Sequence, residues 1–434
     1  MLLVMLKINL KKFLKRKTVK NANWLIGGKI IQMILSLFIG LITARYLGPT
    51  NFGLINYATA YTTFFSSLCT LGLNGILVKE IVDSPEYEGE IMGTAIIMRG
   101  ISSFFSFLMI IGASILFDHS DRLTVLVVVL CNFSLMFQIF DTFNYWFQSH
   151  LMSKYTALST LVAYISVSLY RIILLIMGAN VKWFAFATSI DYIVMAIVLY
   201  VLYRKYSNQK LSFSSMRARI MLRKSYHFIL SGMMVSVYNS TDRLMLKQML
   251  DEESVGYYST AIAICTMWAF VLKAIIDSIT PSIMQNYKID HEKYKKRNKQ
   301  LYAIIFYVST IVSLILCVFG KAIVFILYGE QYLDAVAPLR VITWYVAFSY
   351  LGSARNAWLV CENKQKYLKY IYVFAAIANI LLNAIFIPIW GATGAALASL
   401  ITQFCTCLIF PGMMKQLREN SKLMLEAIFL KGIY

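Results

Sequence analysis

About twelve long apolar runs, spread over almost the whole chain, decide what this sequence can fold into. Each is long enough to cross the ~30 Å hydrocarbon core of a bilayer as a helix. Hydrophobic residues make up 59% of the 434 residues and charged residues 14%, a composition that excludes a soluble domain of this length. The sequence therefore predicts an all-α polytopic membrane protein. The runs fall near 22–44, 54–78, 94–117, 123–147, 156–178, 183–203, 225–249, 256–280, 300–319, 338–361, 370–388 and 392–414.

A short corner between the first two runs recurs in the second half of the chain. Residues 47–53 read Leu-Gly-Pro-Thr-Asn-Phe-Gly, and they align without a gap on residues 250–256, Leu-Asp-Glu-Glu-Ser-Val-Gly, at an offset of 203 residues. Gly and Pro together favour a turn, so the first copy indicates the tight outer corner of a helical hairpin. A repeat of this length predicts two pseudo-symmetric lobes of six helices each around a central cavity.

The distribution of basic residues predicts how the chain is oriented. The net charge is +20, and alternate loops place roughly 29 of the 41 Lys and Arg on one side of the membrane and about 5 on the other. This asymmetry places both termini in the cytoplasm and argues against nucleic acid as a partner. The predicted segments are a basic cytoplasmic N-terminus (1–21), an N-lobe (22–203), a basic cytoplasmic linker (204–224), a C-lobe (225–414) and a cytoplasmic tail (415–434).

The corner, the run Asp242–Leu246 that leads into its second copy, and Leu327–Tyr332 together resemble one transporter family. This is the polysaccharide-exporter branch of the multidrug/oligosaccharidyl-lipid/polysaccharide exporter superfamily, and within it the bacterial O-antigen flippases. The resemblance implies a multi-pass protein of the bacterial inner membrane in lipopolysaccharide and surface-polysaccharide biosynthesis. It also implies a flippase that moves undecaprenyl-pyrophosphate-linked oligosaccharide from the cytoplasmic to the periplasmic leaflet by alternating access. Beyond the bilayer and this glycan, the implied partners are a polysaccharide polymerase and a chain-length regulator.

No sequence motif predicts a cofactor, a metal site or an enzymatic reaction. The chain has no Gly-rich phosphate loop followed by Lys, so no ATP-binding module is expected. Its seven cysteines form no Cys-x-x-Cys pair and its four histidines are scattered, which argues against a metal cluster. An ion gradient or downhill movement of the substrate must then drive transport.

Ionisable residues inside the apolar runs are the candidate functional residues, because charge within a bilayer is costly. Cations without a partner in the runs should line an aqueous cavity, and such a cavity would suit an anionic ligand such as pyrophosphate. The resemblance carries the basic cavity of the family over to Lys29, Arg99, Arg171, Arg243, Lys273 and Arg355. The carboxylates that could serve ion coupling or ion pairing are Asp141, Asp191, Asp242 and Asp277.

Ion pairing is the alternative interpretation of several of these charges. Arg99 with Asp141, and Arg171 with Asp191, lie at matching depths of two predicted hairpins and could form buried pairs. Lys273 and Asp277 are spaced i, i+4 on one helix and could satisfy each other. Asp191 is preferred over Asp242 as a proton relay, since Asp242 and Arg243 are adjacent and point about 100° apart.

Two other functions remain open at this point. A multidrug cation antiporter of the same superfamily would need an acidic cavity in place of a basic one. A membrane-embedded polysaccharide polymerase or glycosyltransferase would need a large outer loop with polar catalytic residues, and the sequence contains none.

Overall fold

The computed structural model describes residues 17–207 and 209–432. Side chains are described from residue 32 onward, apart from that of residue 34. Every regular element in the described residues is helical. The all-α prediction is confirmed. In the first half the helices are α1 (Lys17–Thr70), α2 (Asn74–Asp83), α3 (Glu88–Phe117), α4 (Arg122–Asn132), α5 (Leu135–Gln138), α6 (Thr142–Ser149), α7 (Ser153–Ile176) and α8 (Val181–Tyr206).

The second half contains longer helices and ends in a short one. Its helices are α9 (Ser215–Met249), α10 (Glu252–Thr266), α11 (Phe270–Ile289), α12 (His291–Tyr328), α13 (Val336–Ile342), α14 (Tyr345–Cys361), α15 (Leu368–Phe404), α16 (Phe410–Met413) and α17 (Arg418–Ile428). Short 3-10 turns occupy Pro85–Tyr87, Ile139–Asp141, Glu330–Ala335 and Gln365–Tyr367, and one π-helical segment occupies Cys405–Ile409.

Glycine kinks account for the number of membrane spans. Within the described residues, 7 helices are long and apolar enough to cross a membrane, or 8 if the bent pair α10–α11 counts as one span. Two of the seven, Leu35–Asp83 and Gln365–Met413, have 49 residues each, about twice the length that a bilayer needs. Each is broken at a glycine with positive φ, 71° at Gly48 and 55° at Gly391. With these breaks, and with the more polar α9 and α13–α14, the described part of the chain has about 12 transmembrane helices, as predicted.

The helices form two compact units. One holds the described residues up to Tyr46 together with Tyr61–Met233, and the other holds Leu47–Ala60 together with the residues from Met234 onward. The first copy of the repeated corner thus belongs to the same unit as the second copy. The reason is a close backbone approach, which only residues without a Cβ permit.

The two copies of the corner pack against each other through equivalent glycines. A Cβ on Gly53 would overlap the backbone carbonyl of Glu252, and a Cβ on Gly256 would overlap the carbonyl of Pro49. Because Gly53 and Gly256 occupy the same place in the repeat, the contact is reciprocal. We call this contact the glycine seam.

The helix of each copy begins with a different local structure at its N-terminus. In the first copy Gly48 takes a left-handed conformation and Pro49 follows as the first helical residue, a position where the missing N–H is harmless. In the second copy the side chain of Asp251 accepts a hydrogen bond from the N–H of Ser254 at 2.7 Å and caps α10.

The predicted linker is held on the first unit by the start of α3. Gly89 and Gly93 lie one turn apart there, and the N–H of Ser212 donates to the carbonyl of Gly89 at 3.2 Å. A Cβ at Gly93 would overlap the carbonyl of Ser212. The extended segment therefore runs over a groove that two glycines create.

Ion pairs at the start of α9 add to this attachment. Arg217 lies 3.3 Å from the carboxylate of Glu90 and 4.0 Å from that of Glu80. Lys224 also donates to Glu80. The basic residues of the predicted linker thus neutralise carboxylates at the ends of α2 and α3.

We expect Gly93→Ala to loosen the linker and lower the thermal stability of the protein, because the new methyl group meets backbone that cannot rotate away. Gly100→Ala in the same helix is the matched control. Its Cβ would meet only the Cδ1 of Ile139, at 3.8 Å. Replacing a helical glycine by alanine should raise the free energy of unfolding by up to about 1 kcal/mol. Thermal unfolding in detergent and the rate of trypsin cleavage at residues 204–210 measure both effects. Equal behaviour of the two variants would contradict the packing described here.

The predicted tail contains α17, which packs on the first turns of α12. Asn420 donates to the hydroxyl of Tyr302 at 2.7 Å, and Lys299 lies 2.5 Å from the carboxylate of Glu426. The hydrogen bond from Lys299 lowers the pKa of Glu426 below its usual value. The tail helix is therefore an attached part of the second unit.

Candidate functional site

A buried carboxylate in the second unit has the most elaborate polar surroundings among the candidate residues. Asp242 on α9 is 5% exposed. Its Oδ1 accepts hydrogen bonds from the amides of Asn383 at 2.6 Å and Asn379 at 3.1 Å. Its Oδ2 accepts from the hydroxyl of Ser399 at 2.5 Å and from that of Tyr258. We call these five residues the Asp242 centre.

The kink in α15 brings three of these partners to Asp242. Asn379 and Asn383 are spaced i, i+4 and share one face of the helix, with 3.0 Å between the amide nitrogen of Asn383 and the oxygen of Asn379. Ser399 follows the break at Gly391, where φ is 55°. The chain on both sides of this glycine thus contributes to one site.

The Asp242 centre has the chemistry of a site for a proton or a monovalent cation. All four donors are neutral groups, and within the described residues no Lys or Arg side-chain nitrogen lies within 4.0 Å of the Asp242 carboxylate. The Oδ1 of Asn383 is buried and has no hydrogen-bond partner within the described residues. A proton on the carboxylate, or a small cation beside it, would find this oxygen available, and the amides can turn to present oxygen in place of nitrogen.

Sequence reasoning singled out Asp242 but ranked it below Asp191 and missed its four partners. The signal that could have found them is the pair Asn379 and Asn383, two amides at helical spacing in a very apolar helix. Ser399 and Tyr258 carry no such signal, because serine and tyrosine are common in membrane helices.

Asp191 and Arg171 lie near each other in the first unit without forming a close ion pair. Both side chains are half-buried, and Arg171 is near enough to act electrostatically on Asp191. Within the described residues their charged atoms do not come within 4.0 Å of each other. The relay role of Asp191 and the cavity role of Arg171 remain predictions.

Arg99 differs from the predicted geometry. It is 1% exposed, and its guanidinium donates to the hydroxyl of Thr142 at 2.8 Å and to the carbonyl of Gln138 at 3.2 Å. Asp141 accepts instead from the amide of Asn144 and acts on Arg99 only electrostatically. Arg99 therefore ties α3 to the broken helix α5–α6 through neutral acceptors, because the short Ile139–Asp141 turn exposes a carbonyl to it.

Arg355 is also buried, at 4% exposure, where the sequence predicts an aqueous cavity. Its Nη1 donates to the carbonyls of Thr406 and Cys407, at 3.2 and 3.4 Å. Both carbonyls belong to the π-helical segment at the end of α15, where the regular hydrogen-bond ladder is interrupted. Arg355 thus holds this distortion in place, and its contact with a substrate remains a prediction.

We expect Arg355→Ala to destabilise the folded protein whether or not substrate is present. Hydrogen bonds to a charged group contribute about 1.5–3 kcal/mol each, and the two carbonyls would be left without their donor. Arg340→Ala is the control, because Arg340 also donates to a carbonyl, that of Cys317 at 3.2 Å, but is exposed. Thermal unfolding of the substrate-free protein measures the difference. Loss of transport by Arg355→Ala at unchanged stability would instead indicate that Arg355 acts on the substrate.

The predicted pairing of Lys273 and Asp277 is present in the structure. Lys273 Nζ lies 3.1 Å from Asp277 Oδ1, and the two side chains are 69% and 62% exposed. Exposed charges within a span cannot face hydrocarbon. This face of α11 is therefore expected to face water, and Lys273 stays a candidate for binding an anion.

The remaining cations give less information. Arg243 is half-buried, and its Nε has no hydrogen-bond partner in the described part of the chain. Lys247 pairs with Glu252 at 2.7 Å beside the glycine seam. Lys29 lies in α1, but its side chain is outside the described residues, so its predicted role stays a prediction.

The broken helices and the buried polar centre fit a transporter, and comparison with known proteins identifies the family. Residues 18–287 match the family described as "Polysaccharide biosynthesis protein". The chain belongs to this family. A relative in Klebsiella pneumoniae, described as an uncharacterized membrane protein in the cps region, is 21% identical over 405 residues, which cover 91% of this chain and 82% of the relative.

Solved structures show that this polysaccharide biosynthesis protein has the fold of the MOP superfamily. An inward-facing multidrug resistance MATE transporter superposes with a TM-score of 0.68 at 16% identity, over 91% of this chain and 96% of the other. The lipid II flippase MurJ, in its inward closed conformation, superposes with a TM-score of 0.69 at 15% identity, over 93% and 89%. The resemblance read from the sequence is confirmed, and the chain is a multi-pass membrane protein.

Proposed function

We propose that this protein is an ion-coupled flippase that moves undecaprenyl-pyrophosphate-linked oligosaccharide from the cytoplasmic to the periplasmic leaflet by alternating access. The glycan would be an O-antigen-type unit of a surface polysaccharide, and the membrane the bacterial inner membrane with both chain termini in the cytoplasm. Family membership supports a role in polysaccharide biosynthesis. The cps-region relative and the shared fold with a lipid II flippase support a lipid-linked glycan as the substrate.

The observation that carries ion coupling is the Asp242 centre. A buried carboxylate held only by neutral donors can take up and release a proton or a monovalent cation, which a fixed ion pair cannot do. Uptake would turn the amides of Asn379 and Asn383 and change the packing of α9 against α15. Coupling then follows if the two packings differ in their affinity for the substrate.

The pyrophosphate would be neutralised by cations that are not saturated by protein carboxylates. Arg171 and Arg243 are half-buried, and Lys273 is exposed in spite of its pairing. Guanidinium groups suit two-point contact with phosphate oxygens, and lysine adds a point charge. We extend the same role to Lys29, Arg99 and Arg355. A polymerase and a chain-length regulator are the expected protein partners.

A reconstituted flipping assay tests the proposed substrate and separates it from its rivals. Purified protein in vesicles should make undecaprenyl-pyrophosphate-linked oligosaccharide on the inner leaflet accessible to an external, membrane-impermeant oxidant, faster when an inward proton or sodium gradient is imposed. Export of a cationic dye without glycan flipping would instead favour a multidrug antiporter. Lengthening of the glycan in protein-containing vesicles would favour a polymerase.

A further inference from the structure

A basic cleft lies where the first turns of α12 meet the end of the tail. The cavity has a volume of about 660 Å³ and contains residues of both segments. Two carboxylates, Asp290 and Glu292, line it together with Gln300 and Gly432. The other five lining residues are the cations Lys293, Lys295, Lys296, Arg297 and Lys299.

Two of these cations hold the tail helix in place. Lys295 lies 3.4 Å from the carboxylate of Glu419, and Lys299 lies 2.5 Å from that of Glu426. Their charge is therefore compensated by α17, and the wall of the cleft is fixed.

The other three cations are available to a ligand. Lys293, Lys296 and Arg297 are all exposed, and within the described residues no carboxylate lies within 4.0 Å of their side-chain nitrogens. Arg297 makes a neutral contact of 3.1 Å with the amide oxygen of Gln300. The lining has five cations against the two carboxylates Asp290 and Glu292, and a site with such an excess of positive charge attracts an anion.

The position of the cleft along α12 places it at the membrane surface. The helix has 38 residues and is therefore about 57 Å long, against ~30 Å of hydrocarbon. Counting back from Ile304 by steps of three and four gives Gln300, Arg297 and Lys293, so the cations continue its face of the helix. Arg297 lies about 10 Å beyond Ile304 along the axis. The large exposed apolar residues of α12 are Ile304, Tyr307, Ile311, Leu314, Ile315, Val318, Phe319, Phe325 and Ile326.

The tail adds an apolar rim beside the charges. The hydroxyl of Tyr307 donates to the carbonyl of Ile428 at 2.8 Å, which fixes the end of α17 at the depth of the exposed apolar residues. Just beyond it Phe429 is 69% exposed and Leu430 is 44% exposed. Exposed aromatic and aliphatic side chains at the end of a surface helix, next to lysines, are typical of the bilayer interface.

We propose that this cleft binds the phosphate of an anionic phospholipid, of the phosphatidylglycerol type, from the leaflet at this end of α12. The phosphate accepts hydrogen bonds from Lys293, Lys296 and Arg297, and an acyl chain lies along Phe429. The apolar rim distinguishes this ligand from a soluble phosphate, which would gain nothing from an exposed phenyl ring. The inference does not depend on which substrate the protein transports.

The test is titration of the detergent-solubilised, full-length protein with phosphatidylglycerol or phosphatidylcholine, followed by native mass spectrometry. Replacing all three free cations by glutamine (K293Q, K296Q, R297Q) should weaken phosphatidylglycerol binding on the order of 100-fold and leave phosphatidylcholine binding unchanged. Phe429→Gln should weaken it about tenfold or more without changing the charge. The matched control replaces two lysines and one arginine of the linker, all exposed (R204Q, K205Q, K210Q), and should retain the binding.

Three results would overturn the proposal. Phosphatidylglycerol could bind the triple variant of the cleft as tightly as the unchanged protein. The control variant could lose as much affinity, which would indicate attraction to net charge alone. Millimolar inorganic phosphate could displace the lipid while Phe429→Gln has no effect, which would identify a site for soluble phosphate. All of these replacements are at exposed positions, and an unchanged unfolding temperature without lipid confirms that each variant is folded.

Discussion

Asp242→Asn should abolish the ion-dependent part of transport while the protein stays folded. Asparagine has nearly the same shape but carries neither the charge nor the proton of the carboxylate. Its amide nitrogen would also face the four side chains that donate hydrogen bonds to the carboxylate of Asp242. These are Asn379, Asn383, Ser399 and Tyr258. One charge moving through 100 mV corresponds to about 2.3 kcal/mol, or roughly 50-fold in substrate distribution. We expect this gradient-dependent gain to disappear in the vesicle assay.

Asp251→Asn is the matched control for this prediction. Asp251 lies in the same unit and caps α10 through its side chain, and asparagine caps a helix about as well as aspartate. The control should therefore keep both stability and the response to a gradient. If the Asp242 variant still responds to proton and sodium gradients, the carboxylate is structural, and Asp191 becomes the better candidate for coupling.

The fold could be predicted from the sequence because its signals are local. A run of about 20 apolar residues predicts a span wherever it occurs. The repeat of residues 47–53 at 250–256 also needed no structural information. The contact between Gly53 and Gly256 could be found only in the structure, because a sequence offset does not show that two residues touch.

The candidate site could be predicted only in part, because its chemistry depends on backbone geometry. The sequence identified Asp242 as a charge in a span, but Ser399 reaches it only through the break at Gly391. Arg355 was expected to need an anion or water. Its partners are carbonyls that a π-helical segment frees, and no residue type announces such a segment.

Arg99 is a further residue whose partners depend on backbone geometry that the sequence does not show. Matching its depth to that of Asp141 was a sound argument for a pair, yet the guanidinium bonds to Gln138 and Thr142 instead. Helix breaks supply neutral acceptors inside the membrane. A count of charges in the spans therefore overstates the number of cations that need an anionic partner.

Placing a methyl group in the glycine seam should destabilise the second unit more than any other single-methyl addition proposed for this protein. At Gly53 the new Cβ meets the backbone of both Glu252 and Gly256, and at Gly256 it meets the backbone of Pro49. Backbone cannot rotate out of the way as a side chain can, so the two corners must move apart. Overpacking of this kind typically costs about 1–3 kcal/mol and sometimes more. We expect lower unfolding temperatures for both Gly53→Ala and Gly256→Ala.

Gly40→Ala gives the opposite result if this explanation is correct. Gly40 lies in α1 before the break at Gly48, and nothing is within 4 Å of the place of its Cβ. Alanine should therefore stabilise the helix there by up to about 1 kcal/mol. The double variant Gly53→Ala with Gly256→Ala adds a further test, because either change alone already separates the corners. Its loss of stability should be clearly smaller than the sum of the two single losses. Fully additive losses would mean that the two glycines act at independent contacts, and that the repeat does not build one reciprocal interface.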